Sequence, residues 1–466
     1  MGRQFSAALW SFVVAILLLL VANGARYGGW AADTSMLLLS LTFIATMVAM
    51  ALASTAARMQ LSLQLLTIYF AIYLLLPGYN HTSINRFPFF NFSYPPDIRV
   101  SAAAMVALFM VAVAIGYAGT SKAAGLTQSL PQNGQVMRNN VLLALVLTLV
   151  SLVSLVLYVG TVGIAGALGN RSTVDIVIQD ATTGNLLIGL PRIITFLPVV
   201  YGTLLIKFGN RKRLGAGLLI VNTPILLVVN FPLALPRFQV FGAMLLFVLL
   251  TLDFKKVSYR SLLSIAYVFG AFVAMPVLNH FSREGGTFQT LDVQQVTSSY
   301  FSTGDFDGYQ SMANAIVYVD RFGLEGGLQL LSAILFFVPR SIWPDKAQPT
   351  GSITAEAAGY TFTNISQPLP SEFYVDFGWA GVVLGGILLG IVFCRFDRWI
   401  DRGWTIDLRA RLAAGLIMGF GLPVFRGTLL GVLPPFVFLA AGLWVIARWG
   451  MTPVTMLTGE RRINSA

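Results

Sequence analysis

Between Val141 and Val159 the chain reads VLLALVLTLVSLVSLVLYV, nineteen residues without a charged or amide side chain. As a helix rising 1.5 Å per residue this covers about 28 Å, the depth of a bilayer's hydrocarbon core. Lipid offers no partner to backbone N–H and C=O groups, so such a run must satisfy them within itself, as a helix does. Working outward, similar apolar runs bounded by charge, glycine or proline lie at 7–23, 35–54, 61–77, 101–119, 185–206, 214–234, 238–252, 261–279, 378–394, 410–425 and 427–447, with 140–160 the run just quoted. The sequence therefore predicts an all-α polytopic membrane protein with about twelve transmembrane helices. A further run, Leu328 to Val338, is too short to cross and is closed by Pro339 and Arg340. It is expected to be a re-entrant or interfacial segment.

Composition supports this class and excludes others. Of 466 residues 56% are hydrophobic and 11% charged, where a soluble chain carries roughly a quarter charged residues. A single cysteine cannot staple a secreted scaffold, and the apolar content is too high for a disordered chain. The net charge of +11 resembles a polyanion footprint until topology is assigned. With a cytoplasmic N-terminus and a non-crossing 328–338 segment, the cytoplasmic side collects nineteen of the 30 basic residues and five of the 19 acidic ones, a net +14 against −3 for the rest. This satisfies the positive-inside rule and places both termini in the cytoplasm.

The same topology divides the chain into a nine-helix membrane portion (1–279), a large external loop (280–377) and a three-helix portion with a cytoplasmic tail (378–466). Function is expected in the external loop. It gathers Arg283, Asp305, Asp307, Arg340, Lys346 and Glu372 among aromatic residues, a mixture that suits sugar faces and phosphates but also a headgroup-level belt. Metal chemistry has little support: His81 and His280 are far apart, and only Asp305-Phe306-Asp307 has a spacing that puts two carboxylates on one side of an extended segment. The competing reading of that pair is a solvated acidic turn between Gly304 and Gly308. No metal or other cofactor is expected, and no nucleotide-binding loop is present in the sequence. Arg192 falls roughly 10 Å inside a predicted span, where a guanidinium is costly and should face the bundle or a watery cavity. Arg237 and Arg426 fall at external turns. Guanidinium groups match phosphate oxygens without a metal, so several around one cavity would cradle a pyrophosphate.

The run from Gly304 to Gly381 carries a resemblance: GDFDGYQ at 304–310, FVPRSIWPDK at 337–346, Thr350-Gly351, Ile365-Ser366, Glu372-Phe373-Tyr374 and FGWAG at 377–381. In a twelve-span chain this succession resembles the O-antigen polymerase family, and Leu235-Pro236-Arg237 resembles that family's arginine-led helix start. The likeness covers about the last half of the chain. It implies a membrane glycosyltransferase resembling the GT-C-like architecture in the bacterial inner membrane. Its substrates would be an undecaprenyl-pyrophosphate-linked oligosaccharide donor and a lipid-linked acceptor on the periplasmic side, and a chain-length regulator would be a partner. Under that reading Arg340, Lys346, Arg237 and Arg192 bind the pyrophosphate, and Arg283 is a further substrate-binding residue. Glu372 activates the acceptor hydroxyl, with Asp305 or Asp307 as second choice, and Tyr374, Trp343 and Trp379 line the sugar path. An O-antigen ligase using the same donor is the nearest alternative, though no histidine lies between Arg340 and Glu372. A transporter or flippase of lipid-linked saccharide is the alternative of another class; it would be expected to show paired broken helices.

Overall fold

The computed structural model describes residues 34–90, 92–123, 135–138, 140–169, 184–235, 237–271, 277 and 303–453. The expected span at 7–23 and Arg283 lie outside the described residues. The remainder is overwhelmingly helical. Its helices are α1 Thr34–Thr55, α2 Leu61–Ile84, α3 Pro96–Ala123, α4 Val141–Ala167, α5 Leu190–Ile194, α6 Phe196–Phe208, α7 Lys212–Val229, α8 Arg237–Thr251, α9 Val257–Phe269, α10 Gly308–Phe322, α11 Leu328–Ile334, α12 Thr350–Ala357, α13 Leu369–Gly403, α14 Leu408–Arg426 and α15 Leu429–Trp449. Among the described residues nine helices are long and apolar enough to cross a membrane, and two shorter apolar ones cover 239–251 and 257–269. This is a multi-pass membrane protein. Leu142, Leu145, Leu149 and Val156 of α4 are exposed, as a lipid-facing stripe requires.

Several boundaries differ from the expected ones for local reasons. The run at 214–234 stops as a helix at Val229, because Pro232 can neither donate to the ladder nor leave its predecessor helical. The turn before α8 is correspondingly longer than the two or three residues expected. The run at 185–206 is irregular: a π-helical turn at Gly184–Gly189 precedes α5, and Thr195, still in a helical conformation, joins α5 to α6 within one span over Leu187–Phe208. The carbonyl of Arg192 accepts from Thr195 Oγ1 at 3.1 Å and from Asn230 Nδ2 at 3.2 Å. Side-chain donors thus reinforce the joint. In α13, Gly378 has φ +62°, a backbone setting that favours glycine. It divides a short outer helix from the long segment that follows.

That long helix organises the molecule through three carboxylates. Asp397 accepts from the Ser62 N–H at 2.8 Å at the start of α2, and Asp376 accepts from Gln329 and Leu330 at 3.1 and 2.8 Å at the start of α11. Glu372 accepts from Leu429, the first residue of α15, at 2.7 Å. Each satisfies N–H groups that a helix start leaves without partners, and each places negative charge at the positive end of a helix dipole. Elsewhere α8 and α14 cross at Gly242 and Gly419, where a Cβ on either would run into the other's carbonyl oxygen. Small residues let membrane helices approach this closely.

The short apolar segment becomes α11, seven residues long, far below span length. It lies against α15, with Phe336 edge-to-face on Phe438 at 6.1 Å, while Leu331, Ile334 and Phe337 remain exposed. Two three-residue strands, Gln135–Met137 and Met451–Pro453, pair antiparallel. They bring the connector after α3 to the residues that follow α15.

Candidate functional site

At the other end of the bundle the irregular helices and turns just described surround a cavity of about 490 Å³. Its walls come from Ile188 to Phe196 of the irregular span, Phe420 and Pro423 of α14, and Gly431 to Leu439 of α15. They are mainly apolar. Four polar side chains interrupt them: Arg192, Asn230, Gln239 and Asn364. Such a site, apolar with a few convergent polar groups, is the usual form of a small-molecule pocket.

Arg192 is held rather than floating. One terminal nitrogen donates to Tyr158 Oη at 3.0 Å and to the Ala234 carbonyl at 3.3 Å, and the guanidinium lies 5.4 Å from the Tyr158 ring centre. Its Nε is buried with no acceptor, and no carboxylate among the described residues pairs with it. The guanidinium is therefore anchored from one side, and no carboxylate among the described residues compensates it on the other. One helix start adds to the same sign, with Gln239 the third residue of α8; the start of α15, near Gly431, is already capped by Glu372. Helix N-termini carry partial positive charge and favour anions. Arg237 opens α8 two residues before Gln239, although its side chain lies outside the described part.

The other sequence-selected residues do not line this cavity. Lys346 is buried, and its ammonium donates to the carbonyls of Leu335, Phe336 and Val338 at 3.2, 2.7 and 2.9 Å. An ammonium has three donors, so none is left for phosphate. All three acceptors follow the end of α11 at Ile334, so in this structure the ammonium fastens the 335–338 turn. Burial, with Arg340 nearby, pushes the Lys346 pKa below the ordinary lysine value. Arg340 is exposed and curls back to donate to the carbonyls of Lys346 at 2.5 Å and Ala347 at 2.7 Å. It closes the 340–347 turn instead of emerging at a cavity lip. Lys346→Met is accordingly expected to lower the thermal midpoint of the detergent-solubilised protein. Stranding polar groups costs on the order of 1–3 kcal/mol. An unchanged midpoint with lost lipid-pyrophosphate binding would return Lys346 to the phosphate role.

The carboxylates are likewise engaged. Glu372 is buried; besides Leu429 N–H it accepts from Thr350 Oγ1 at 2.5 Å, so it ties α12, α13 and α15 together behind the cavity wall. Gly304–Phe306 is a 3₁₀ turn, so Asp305 and Asp307 are neither an extended same-side pair nor a solvated turn. Both are buried. Asp307 accepts from the Ser366 N–H at 2.8 Å and pairs with Arg426 at 3.2 Å. Burial raises the Asp307 pKa, against the pull of Arg426 and Ser366. Arg426 also donates to the Gly304 carbonyl at 2.8 Å, so it fastens the 304–307 turn to the end of α14. Among the described residues no three His, Cys, Asp or Glu side chains gather as a metal-binding group.

Of the three aromatic residues, Tyr374 is buried edge-to-face beneath Trp379 at 5.3 Å, Trp379 is exposed, and Trp343 is half-buried in the 340–347 turn. Sequence reasoning missed Asn230, Gln239 and Asn364. The first two were visible as amides inside apolar runs, a pattern that often marks function at membrane depth. Asn364 had no such signal. Compared with known proteins, the chain matches no family model, no curated protein and no solved structure.

Proposed function

We propose that this chain is a membrane glycosyltransferase that polymerises undecaprenyl-pyrophosphate-linked oligosaccharide repeat units. In this reading about twelve spans, arranged as in GT-C-like enzymes, lie in the bacterial inner membrane with both termini cytoplasmic and the cavity on the periplasmic side. The observation that carries the proposal is the cavity itself: mainly apolar walls meet an arginine anchored from one side and the start of α8. Few ligands combine these needs. A lipid pyrophosphate does.

The reaction transfers a glycan from lipid pyrophosphate to an acceptor hydroxyl. The anomeric C–O bond to phosphate breaks as the bond to the acceptor oxygen forms, and the acceptor proton leaves. Negative charge grows on the departing pyrophosphate, so fixed cations and helix dipoles there stabilise the transition state more than the ground state. Arg192 is assigned to that oxygen cluster, with Arg237 and Gln239 at the α8 start. No metal is required by this scheme. A base could assist proton loss, and Glu372 reaches that role only by releasing Thr350. Glu372→Gln separates the two possibilities: as a latch it lowers stability and rate together, whereas as the base it removes turnover with the thermal midpoint intact.

The deciding experiment supplies purified protein with lipid-linked repeat units in the presence of EDTA. Products spaced by one repeat, with release of lipid pyrophosphate, are expected. Transfer only onto a lipid A core would make it a ligase. Translocation of labelled lipid without new bonds would make it a carrier.

A further inference from the structure

A second surface at the cavity end of the molecule is built with care that core packing does not explain. Phe90 is 55% exposed and Phe362 is 37% exposed, and their rings are inclined by 28° with centres 5.9 Å apart. Tyr360 supports them, 5.1 Å from Phe90 and 5.7 Å from Phe92, and Phe89 meets Phe362 at 5.0 Å. The floor is locked by hydrogen bonds. Gln310 accepts from the Phe89 N–H at 2.9 Å and donates to Tyr360 Oη at 2.7 Å. Asn314 donates to the same hydroxyl at 3.1 Å and accepts from Tyr94 at 2.5 Å.

Phe90 has φ +57°, a left-handed setting that is a genuine outlier for a bulky residue. Such strain persists only where surrounding structure imposes it, and it gathers at functional sites. Its result is a large apolar ring that rests against Tyr360 while more than half of its surface stays exposed. The flanks are polar: Thr361, Thr363 and Asn364 are all exposed beside Phe362. A membrane-dipping patch would be expected to continue in apolar residues, as α11 does.

We infer that Phe90 and Phe362 form a stacking subsite for pyranose rings, placed to receive the saccharide of a lipid-linked substrate beyond its pyrophosphate. The inference rests on the glycan reading given above. Aromatic faces are electron-rich, and the C–H-bearing face of a pyranose is apolar with slightly positive hydrogens, so the two surfaces complement each other. Continuity supplies the second argument. Asn364, which lines the cavity, follows Phe362 by two residues, a separation of at most about 7 Å along the chain. A glycan leaving the Arg192 end would cross Asn364 and reach the shelf within its first sugars.

Two measurements on the full-length protein in lipid nanodiscs test this. In the first, transfer rates are compared for lipid-linked substrates carrying several repeats and one repeat. Phe90→Ala/Phe362→Ala should lower the ratio of the two rates several-fold, and Phe90→Tyr/Phe362→Tyr should restore it. A wild-type ratio in the alanine variant overturns the subsite. A wild-type protein that turns over neither substrate instead overturns the glycan reading, and the subsite falls with it. In the second, a nitroxide is placed at Phe90→Cys in a Cys394→Ser background. Relaxation by an aqueous nickel chelate should exceed relaxation by oxygen, and the reverse would put the shelf in the bilayer and overturn the inference.

Discussion

Replacing Arg192 by alanine should lower repeat-unit transfer by about 10²–10³, the usual cost of one charge-stabilising donor in a preorganised site. The expectation follows from how the side chain is held. Tyr158 and the Ala234 carbonyl fix one terminal nitrogen, so the guanidinium needs little reorganisation when charge develops on a leaving phosphate. Arg192→Lys should lose nearly as much. An ammonium lacks the planar fork and cannot hold the Tyr158 side while presenting donors to the cavity. Tyr158→Phe should cost less than either, because it loosens the anchor without removing the charge. The thermal midpoint should move little in all three, since no carboxylate among the described residues depends on Arg192. Near-normal transfer by Arg192→Ala would sink the pyrophosphate assignment.

The membrane class was legible because span-length apolar runs such as 141–159 admit no alternative in water or lipid. Element ends were less so. Pro232 and the irregular turn at Gly184–Gly189 moved boundaries that hydropathy alone smooths over, and partners such as Asn230 are visible only in three dimensions. The site was legible in part. Arg192 stood out because a cation inside an apolar run carries a cost that calls for a reason. Arg340 and Lys346 stood out for the same chemistry, yet their donors turn inward to backbone carbonyls. Spacing shows which residues carry charge but not whether the chain's own turns will consume it. Glu372 repeats the lesson with opposite sign, because a carboxylate near a helix start is as useful to Leu429 N–H as to an acceptor sugar. The aromatic shelf depends on residues some 270 positions apart, which no local pattern relates.

Arg426→Met should be the more damaging change to stability, because it strands Asp307. That carboxylate is 1% exposed, and removing one partner of a buried ion pair costs on the order of 3–5 kcal/mol. The Gly304 carbonyl loses its donor at the same time, so the 304–307 turn comes away from the end of α14. Adding Asp307→Asn should recover part of the loss, since a neutral amide needs no counter-charge. A double-mutant cycle then isolates the pair from the independent contribution of each residue. The deficit should also depend on pH in one direction. Burial already raises the Asp307 pKa, and without Arg426 the folded-state value rises further above its unfolded value. At low pH the carboxyl is protonated in both states, and only the loss at the Gly304 carbonyl remains. The pH-dependent part should open as pH rises through the already raised folded value of the intact protein, grow until the still higher value of the variant is passed, then level off. A deficit independent of pH, or equal single and double variants, would mean that Arg426 stabilises the loop through Gly304 and not through Asp307.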